Sequence, residues 1–170
     1  MRRIVATGAE STGKTTLVQA LAAHYGAPWV AEYARTYAET VDHALTAADV
    51  EPIARGHIAQ AEAAAQEASA LLLFDTDLLS TVIYSRHLYG ACPAWIETAA
   101  RERAADLYLL CAPDIPWKPD PGQRESPEAR AALQPQFEAL LREWQLPHAN
   151  VSGSLDERVL VAIRAVDGLR

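Results

Sequence analysis

Nine residues near the N-terminus have the types and the spacing of a phosphate-binding loop: Gly8-Ala9-Glu10-Ser11-Thr12-Gly13-Lys14-Thr15-Thr16. They fit the pattern G-x-x-x-x-G-K-[ST] at every fixed position. Gly8 and Gly13 let the backbone turn so that its N–H groups point at an anion. Lys14 would reach the β- and γ-phosphates of a nucleotide, and the Thr15 hydroxyl would be a ligand for Mg²⁺. The residues expected to bind the nucleotide are Gly8, Glu10, Ser11, Thr12, Gly13, Lys14, Thr15 and Thr16.

A carboxylate follows a buried strand further along the chain. Residues 71–74 are Leu-Leu-Leu-Phe, and Asp75 comes directly after them. A parallel strand of this kind would deliver Asp75 beside the phosphate loop as a second contributor to the Mg²⁺ site. ATPase motors usually place a glutamate at the next position to polarise water, but here that residue is Thr76. The pattern therefore favours transfer onto a substrate hydroxyl over hydrolysis.

A second group of reactive side chains follows residues 27–31, which we predict to be a short strand. Glu32, Tyr33 and Arg35 come directly after it. In parallel α/β sheets ligands bind at the carboxyl ends of the strands, so these residues are candidates for substrate binding. The alternative is the start of a surface helix, with Glu32 near the helix dipole and Arg35 paired to it three residues on.

The segment around residues 113–127 contains four prolines and a glycine within twelve residues. A long loop in a compact domain suggests a lid. Lys118 and Arg124 would bring positive charge over the phosphates when this lid closes, and Trp117 would supply an aromatic face at the mouth of the site.

The elements that must position these groups alternate between strand and helix. Short apolar runs precede the phosphate loop and Asp75, and another lies at residues 107–111. Capping boxes at Thr46-x-x-Asp49 and Ser154-x-x-Glu157 predict two helix starts, and Ser126-Pro127 predicts a third. We expect one α/β domain over residues 1–170, a three-layer α/β/α P-loop NTPase fold with a parallel sheet and a lid loop.

Composition excludes several classes of protein. The formal charge of −7 and the pI near 5.2 argue against broad nucleic-acid binding, which needs a basic face. No run is long and apolar enough to span a membrane, and no signal-peptide pattern precedes the first strand. We therefore expect a cytoplasmic protein whose partners are a nucleotide and a small molecule.

The combination of motifs resembles the ribosylnicotinamide kinase domain of the NadR-type proteins. The resemblance rests on G-x-E-S-x-G-K-T-T at residues 8–16, E-Y-A-R at 32–35, D-T-D at 75–77, P-D-I-P-W at 113–117 and G-Q-R at 122–124. A weaker similarity covers residues 152–154 and Arg158. Those proteins carry an adenylyltransferase domain ahead of the kinase, whereas this sequence starts at the kinase strand, so we expect a stand-alone kinase domain. Its lid reads D-P-G-Q-R, where the family typically has D-G-x-R.

The resemblance implies transfer of the γ-phosphoryl group of ATP to nicotinamide riboside, with Mg²⁺ bound at Thr15 and Asp75. Kinases of another nucleoside or sugar, or a regulatory ATP-binding module, remain alternatives, as does GTP as the donor. The cationic pyridinium ring suits carboxylates and aromatic faces, although a neutral nucleoside would also stack there. The residues expected to bind the substrate are Glu32, Tyr33, Arg35, Asp77 and Trp117.

The catalytic residues expected are Lys14, Glu32, Asp77 and Arg124. Glu32 is the expected base, because it would lie across the cleft from the phosphate loop. Asp77 is the second candidate: it lies two residues beyond Asp75, close to the metal, where its pKa would be low.

Overall fold

The computed structural model describes residues 1–117 and 126–169, and its centre is a five-stranded sheet. Every neighbouring pair of strands is parallel, in the order β2-β3-β1-β4-β5. The sheet confirms the α/β fold predicted from the alternating elements. The strands are β1 (Arg2–Thr7), β2 (Trp29–Val30), β3 (Leu71–Asp75), β4 (Leu107–Cys111) and β5 (His148–Val151).

Helices connect the strands and cover the sheet. They are α1 (Lys14–Tyr25), α2 (Tyr33–Ala38), α3 (Val50–Glu67), α4 (Leu78–Tyr89), α5 (Ala94–Glu102), α6 (Pro127–Glu143) and α7 (Leu155–Asp167). Within the described part of the chain, no helix combines the length and the apolar character needed to cross a membrane.

Successive strand residues point to opposite faces of the sheet, and each face has its own core. In β3, Leu72 and Phe74 join the core formed with α3, α4, α5 and α6. Leu73, between them, joins the core formed with α1 and α7. β4 divides in the same way, with Tyr108 on the first side and Leu109 on the second. Because strands buried on both faces need apolar residues at every position, this arrangement explains the continuous apolar runs and gives the predicted three layers.

The helix starts predicted from capping residues are confirmed, with one adjustment. The Ser154 capping box opens α7, and Ser126 caps α6 by accepting from the amide of Ala129 at 3.1 Å. The Thr46–Asp49 box instead opens a single 3₁₀ turn, Ala47–Asp49, which leads directly into α3. The tighter turn changes the pitch of the first residues but leaves the predicted boundary in place.

Candidate active site

The phosphate loop connects β1 to α1 at the carboxyl edge of the sheet. Gly8 has φ 125°, and a Cβ there would lie 2.8 Å from the carbonyl oxygen of Cys111 in β4. Gly13, with φ 81°, forms the N-cap of α1 in the left-handed region. The first glycine therefore permits the close approach of the loop to β4, and the second permits the turn into the helix. Both roles agree with the sequence pattern.

Side chains of the loop fold onto its own backbone. The Lys14 ammonium donates to the carbonyl of Ala9 at 2.7 Å, and the Thr12 hydroxyl donates to the same carbonyl at 2.8 Å. Thr12 is buried, whereas Lys14 is partly exposed. These contacts hold Lys14 over the loop, at the start of α1, where the amide groups and the helix dipole favour an anion.

Three polar residues of α6 and α7 brace the loop, in roles that were not predicted from the sequence. Gln134 accepts from the amide of Ala9 and donates to the carbonyl of Cys111, both at 3.1 Å. Arg130 donates to the carbonyl of Ser11 at 3.2 Å and to that of Ile115 at 2.9 Å. The loop is thus fixed to both β4 and the segment that follows β4.

Arg158 is the third brace and is only 3% exposed. It donates to the carbonyls of Thr12 and Gly153 at 2.8 Å and to that of Ala112 at 3.1 Å, and it forms an ion pair with Asp114. A buried guanidinium is tolerated when its nitrogens are hydrogen-bonded, as all three nitrogens of Arg158 are here. The only sequence signal for it was the weak family similarity at this position.

Thr15 and Asp75 lie together, as predicted. The Thr15 hydroxyl donates to Oδ2 of Asp75 at 2.5 Å. The other carboxylate oxygen, Oδ1, is buried and has no hydrogen-bond partner among residues 1–117 and 126–169. Asp75 lies behind Thr15, since Thr15 lines the adjacent cavity and Asp75 does not.

A cavity of about 690 Å³ opens beside the loop. Its volume lies within the range typical of small-molecule sites. The residues predicted for the nucleotide that line it are Glu10, Ser11, Thr12, Gly13, Lys14, Thr15 and Thr16, and those predicted for the substrate are Glu32, Tyr33, Arg35 and Asp77. The structure therefore brings the two predicted groups into one cavity.

Glu32 and Arg35 lie at the start of a helix and also line the cavity, so both interpretations of these residues, a helix start and a substrate-binding site, apply. Glu32 is the N-cap residue of the short helix α2, and its carboxylate lies 3.9 Å from the guanidinium of Arg35, three residues on. This is the helix start with an i,i+3 pair. Both side chains also line the cavity, so the surface-helix geometry does not remove them from the candidate site.

Asp77 occupies a different environment from the one expected. Its Oδ1 accepts from the amide of Leu79 at 3.0 Å, which caps α4, and its Oδ2 accepts from the hydroxyl of Tyr108 at 2.8 Å. Burial raises the pKa of Asp77 to about 6, against the opposing hydrogen bonds from Tyr108 and Leu79 and the positive charge of Arg3. The protein groups alone therefore do not give Asp77 the low pKa expected from a neighbouring metal, because desolvation outweighs the favourable contacts.

Gly8, predicted for the nucleotide, does not line the cavity itself. Of the residues predicted for the substrate or for catalysis, Trp117 and Arg124 are not placed there. Its wall, as far as the described residues form it, includes Ile115 and Pro116 but not Trp117, whose Nε1 is buried without a partner in that part of the chain. Arg124, together with Lys118 and most of the predicted lid, lies outside the described residues. Their roles stay predictions.

The cavity also contains residues to which the sequence gave no role. His57 of α3 is buried at its wall, and burial, followed by the charge of Arg3, lowers the pKa of its imidazole to about 4. Tyr84 of α4 donates to Oε2 of Glu10 at 2.9 Å. The signal for Tyr84 was its spacing, because Asp77, Ser80 and Tyr84 fall on one face of a helix that starts at the edge of the sheet.

Comparison with known proteins gives consistent similarities. A family described as an AAA domain matches residues 3–158. The trifunctional NAD biosynthesis/regulator protein NadR of Salmonella typhimurium is 28% identical over 98% of this chain, and NadR of Escherichia coli strain K12 is 29% identical over 71%. The chain spans only 42% and 30% of these two relatives.

Solved structures show the same relationship. A NadR protein in complex with NR superposes with a TM-score of 0.76 at 26% identity, covering 99% of this chain and 51% of that one. Thymidylate kinase from Ehrlichia chaffeensis has a TM-score of 0.71 at 12% identity, covering 98% of both chains, and shows the shared fold alone. Because the family match covers most of its length and the phosphate loop is intact, the chain belongs to this AAA-domain family of P-loop proteins.

Proposed function

We propose that this chain is an ATP-dependent kinase that transfers the γ-phosphoryl group to a ribose hydroxyl of nicotinamide riboside. The observation that carries the proposal is the single cavity lined by the phosphate loop and by Glu32, Tyr33 and Asp77. A donor and a small acceptor would meet in that space. Similarity to NadR over nearly the whole chain, including a NadR structure in complex with NR, supports this acceptor.

On the donor side, Lys14 and the loop amides hold the phosphates. Thr15 and Asp75 fit a Mg²⁺ site, because a buried carboxylate oxygen without a donor is costly and a hydrated cation would satisfy it. When bound, Mg²⁺ neutralises charge on the phosphate oxygens. Arg124 would add positive charge over the transferring group from the lid.

On the acceptor side, Glu32 orients the hydroxyl and takes its proton. The hydroxyl oxygen forms a bond to the γ-phosphorus, and the bond from that phosphorus to the β–γ bridging oxygen breaks, releasing ADP. Tyr33 and the carboxylates of Glu32 and Asp77 suit a cationic ring. Thr76, which follows Asp75, offers no carboxylate for activating water.

The test is the rate of ADP release from ATP measured with nicotinamide riboside, with several neutral nucleosides and with no acceptor. We expect release that depends on nicotinamide riboside, with the mononucleotide as the product. Dependence on a different nucleoside would reassign the acceptor. Slow release that no acceptor accelerates would favour a regulatory ATP-binding module and contradict the proposed kinase.

A further inference from the structure

The carboxylate of Glu10 has one oxygen that is held and one that is not. Oε2 accepts the hydroxyl of Tyr84 at 2.9 Å. Oε1 is buried and has no hydrogen-bond partner in the part of the chain that the structure describes. A buried carboxylate oxygen without a donor costs free energy, so a donor at this position would be stabilising.

A phosphate group is a poor candidate for the missing partner. A carboxylate has only acceptor oxygens, and so has a phosphate at neutral pH, so the two would repel each other. Glu10 belongs to the loop through its backbone, while its side chain is hydrogen-bonded to Tyr84 on α4 and Lys14 donates to the Ala9 carbonyl instead. The free oxygen therefore suits a group that carries a donor hydrogen.

Tyr84 is built to hold the other oxygen in place. Burial, followed by the negative charge of Glu10 and the hydrogen bond to it, raises the pKa of Tyr84 well above its ordinary value. Its hydroxyl therefore keeps its proton and remains a donor to Glu10. Glu32 also acts electrostatically on this hydroxyl, which places Tyr84 within range of both carboxylates. Glu10, Glu32 and Tyr84 all line the same cavity.

We propose that Glu10 binds the acceptor: its Oε1 accepts a hydrogen bond from a hydroxyl group of the substrate, and Tyr84 is the positioning residue that fixes the carboxylate. The inference rests on the proposed kinase function and deepens it. Glu10 would then bind the acceptor with its side chain, while its backbone remains part of the phosphate loop that binds the donor. The donor and the acceptor would therefore lie next to each other.

The first test compares the full-length wild type with Glu10→Gln and Tyr84→Phe in binding calorimetry and in steady-state kinetics. Glu10→Gln should weaken nicotinamide riboside binding and raise its KM about 10- to 100-fold, as expected for a hydrogen bond to a charged group. The KM for ATP should change less than about twofold. Tyr84→Phe should raise the acceptor KM by a smaller factor with little change in kcat. Glu102→Gln, an exposed change of the same charge on α5, is the matched control.

The second test identifies the hydrogen-bonding group. Calorimetry with 2′-deoxy, 3′-deoxy and 5′-deoxy analogues of the riboside should give one analogue that wild type and Glu10→Gln bind with equal affinity. If the affinity ratio between the two proteins stays the same for all three analogues, the hydroxyl contact is wrong. A rise in the KM for ATP without a rise for the acceptor would also overturn the assignment.

The outcomes separate this inference from the proposed function. If the wild type phosphorylates nicotinamide riboside and Glu10→Gln leaves its acceptor KM unchanged, only the role of Glu10 fails. If the wild type binds the riboside without phosphorylating it and Glu10→Gln weakens that binding, the role of Glu10 stands and the kinase fails. Absence of both binding and phosphorylation would overturn both.

Discussion

The ring of Tyr33 packs directly against the backbone of Gly56. Tyr33 is the first residue of α2, and a Cβ built on Gly56, within α3, would lie less than 3.0 Å from atoms of that ring. None of the six residues of α2, all of which the structure describes, is fully buried. Because glycine inside a helix costs about 1 kcal/mol relative to alanine, its presence here is explained by the space that Tyr33 needs. Gly56 therefore seats the helix whose first turn carries Tyr33 and Arg35.

Gly56→Ala should disturb the acceptor side of the site without affecting the phosphate loop. The added methyl group must displace the Tyr33 ring, and overpacking of this kind typically costs about 1–3 kcal/mol. We expect a raised KM for nicotinamide riboside, a nearly unchanged KM for ATP and a lower free energy of unfolding. Steady-state kinetics and urea denaturation measure the three quantities.

The control is the same substitution in a Tyr33→Ala background. With the ring removed, Gly56→Ala should stabilise the protein by up to about 1 kcal/mol, because only the helix propensity remains. The effect on stability should thus change sign between the two backgrounds. An equal destabilisation in both would show that the clash is not with Tyr33.

The sheet and most helices could be predicted because their signals are local. Each signal determines the structure of residues only a few positions away in the sequence. Examples are the apolar run at residues 71–74, which forms β3, and the capping residues Ser126 and Ser154, which begin α6 and α7. β2 is shorter than predicted, with two residues where five were expected. Residues 27–31 are mostly apolar, but only Trp29 and Val30 pair with β3. β2 lies at an edge of the sheet, so it has no second neighbouring strand with which to pair.

The candidate site was predicted where a motif carries it and missed where a long-range contact does. Lys14 and Thr15 are fixed by the loop pattern, and Asp75 by the strand before it. Gln134 and Arg158 reach the loop from 125 and 146 residues away in sequence. Polar residues on amphipathic helices resemble ordinary surface positions until the packing of α6 and α7 is known, so no local pattern distinguishes them.

Lys14→Ala should abolish phosphoryl transfer and leave the fold intact. It removes the one cation that the loop pattern directs at the β- and γ-phosphates, and loss of a single stabilising donor typically lowers kcat by about 10²–10³-fold. The measurement is kcat alongside the thermal midpoint. Arg164→Ala, an exposed loss of the same charge on α7, should have no effect on turnover. Near wild-type turnover of the Lys14 variant would place the active site elsewhere.

Asp75→Asn should weaken the response to magnesium more than it weakens acceptor binding. A neutral amide is a poorer partner than a carboxylate for a hydrated, hard cation. The Mg²⁺ concentration for half-maximal activity should therefore rise, while the KM for nicotinamide riboside changes little. Asp42→Asn, at an exposed position, is the matched control. An unchanged magnesium titration would leave Asp75 a structural residue that only anchors the Thr15 hydroxyl.

Glu32→Gln and Asp77→Asn should give different kinetic phenotypes. If Glu32 is the base, its loss should lower kcat by about 10²–10⁴-fold with a smaller change in the KM for ATP. Asp77→Asn should mainly raise the acceptor KM, because it removes a negative charge that suits the cationic ring. Both oxygens of Asp77 already accept hydrogen bonds, from Leu79 and Tyr108, so a role as the base is not expected. Exchange of the two phenotypes would require the two roles to be exchanged as well.

Asp77 and His57 should make opposite contributions to the pH dependence of stability. Burial raises the pKa of Asp77 from 3.8 to about 6, so the folded state keeps that proton longer and stability falls as pH rises through this range. Burial lowers the pKa of His57 from 6.5 to about 4, so the unfolded state binds the extra proton and stability rises with pH. Each contribution is on the order of 3 kcal/mol at most. In the wild type the two largely cancel between pH 4 and 6.

Single substitutions should reveal each slope. With Asp77→Asn, the free energy of unfolding should rise from pH 4 to pH 6.5, because the His57 contribution is no longer offset. With His57→Leu, the free energy of unfolding should fall from pH 4 to pH 6 relative to that of the wild type, because only the Asp77 contribution remains. Urea denaturation at half-unit pH steps gives the variant-minus-wild-type differences, from which the contributions of other carboxylates cancel. The positive charge of Arg3 acts on both groups. A difference that stays flat over this range for either variant would show that its group titrates alike in the folded and unfolded states.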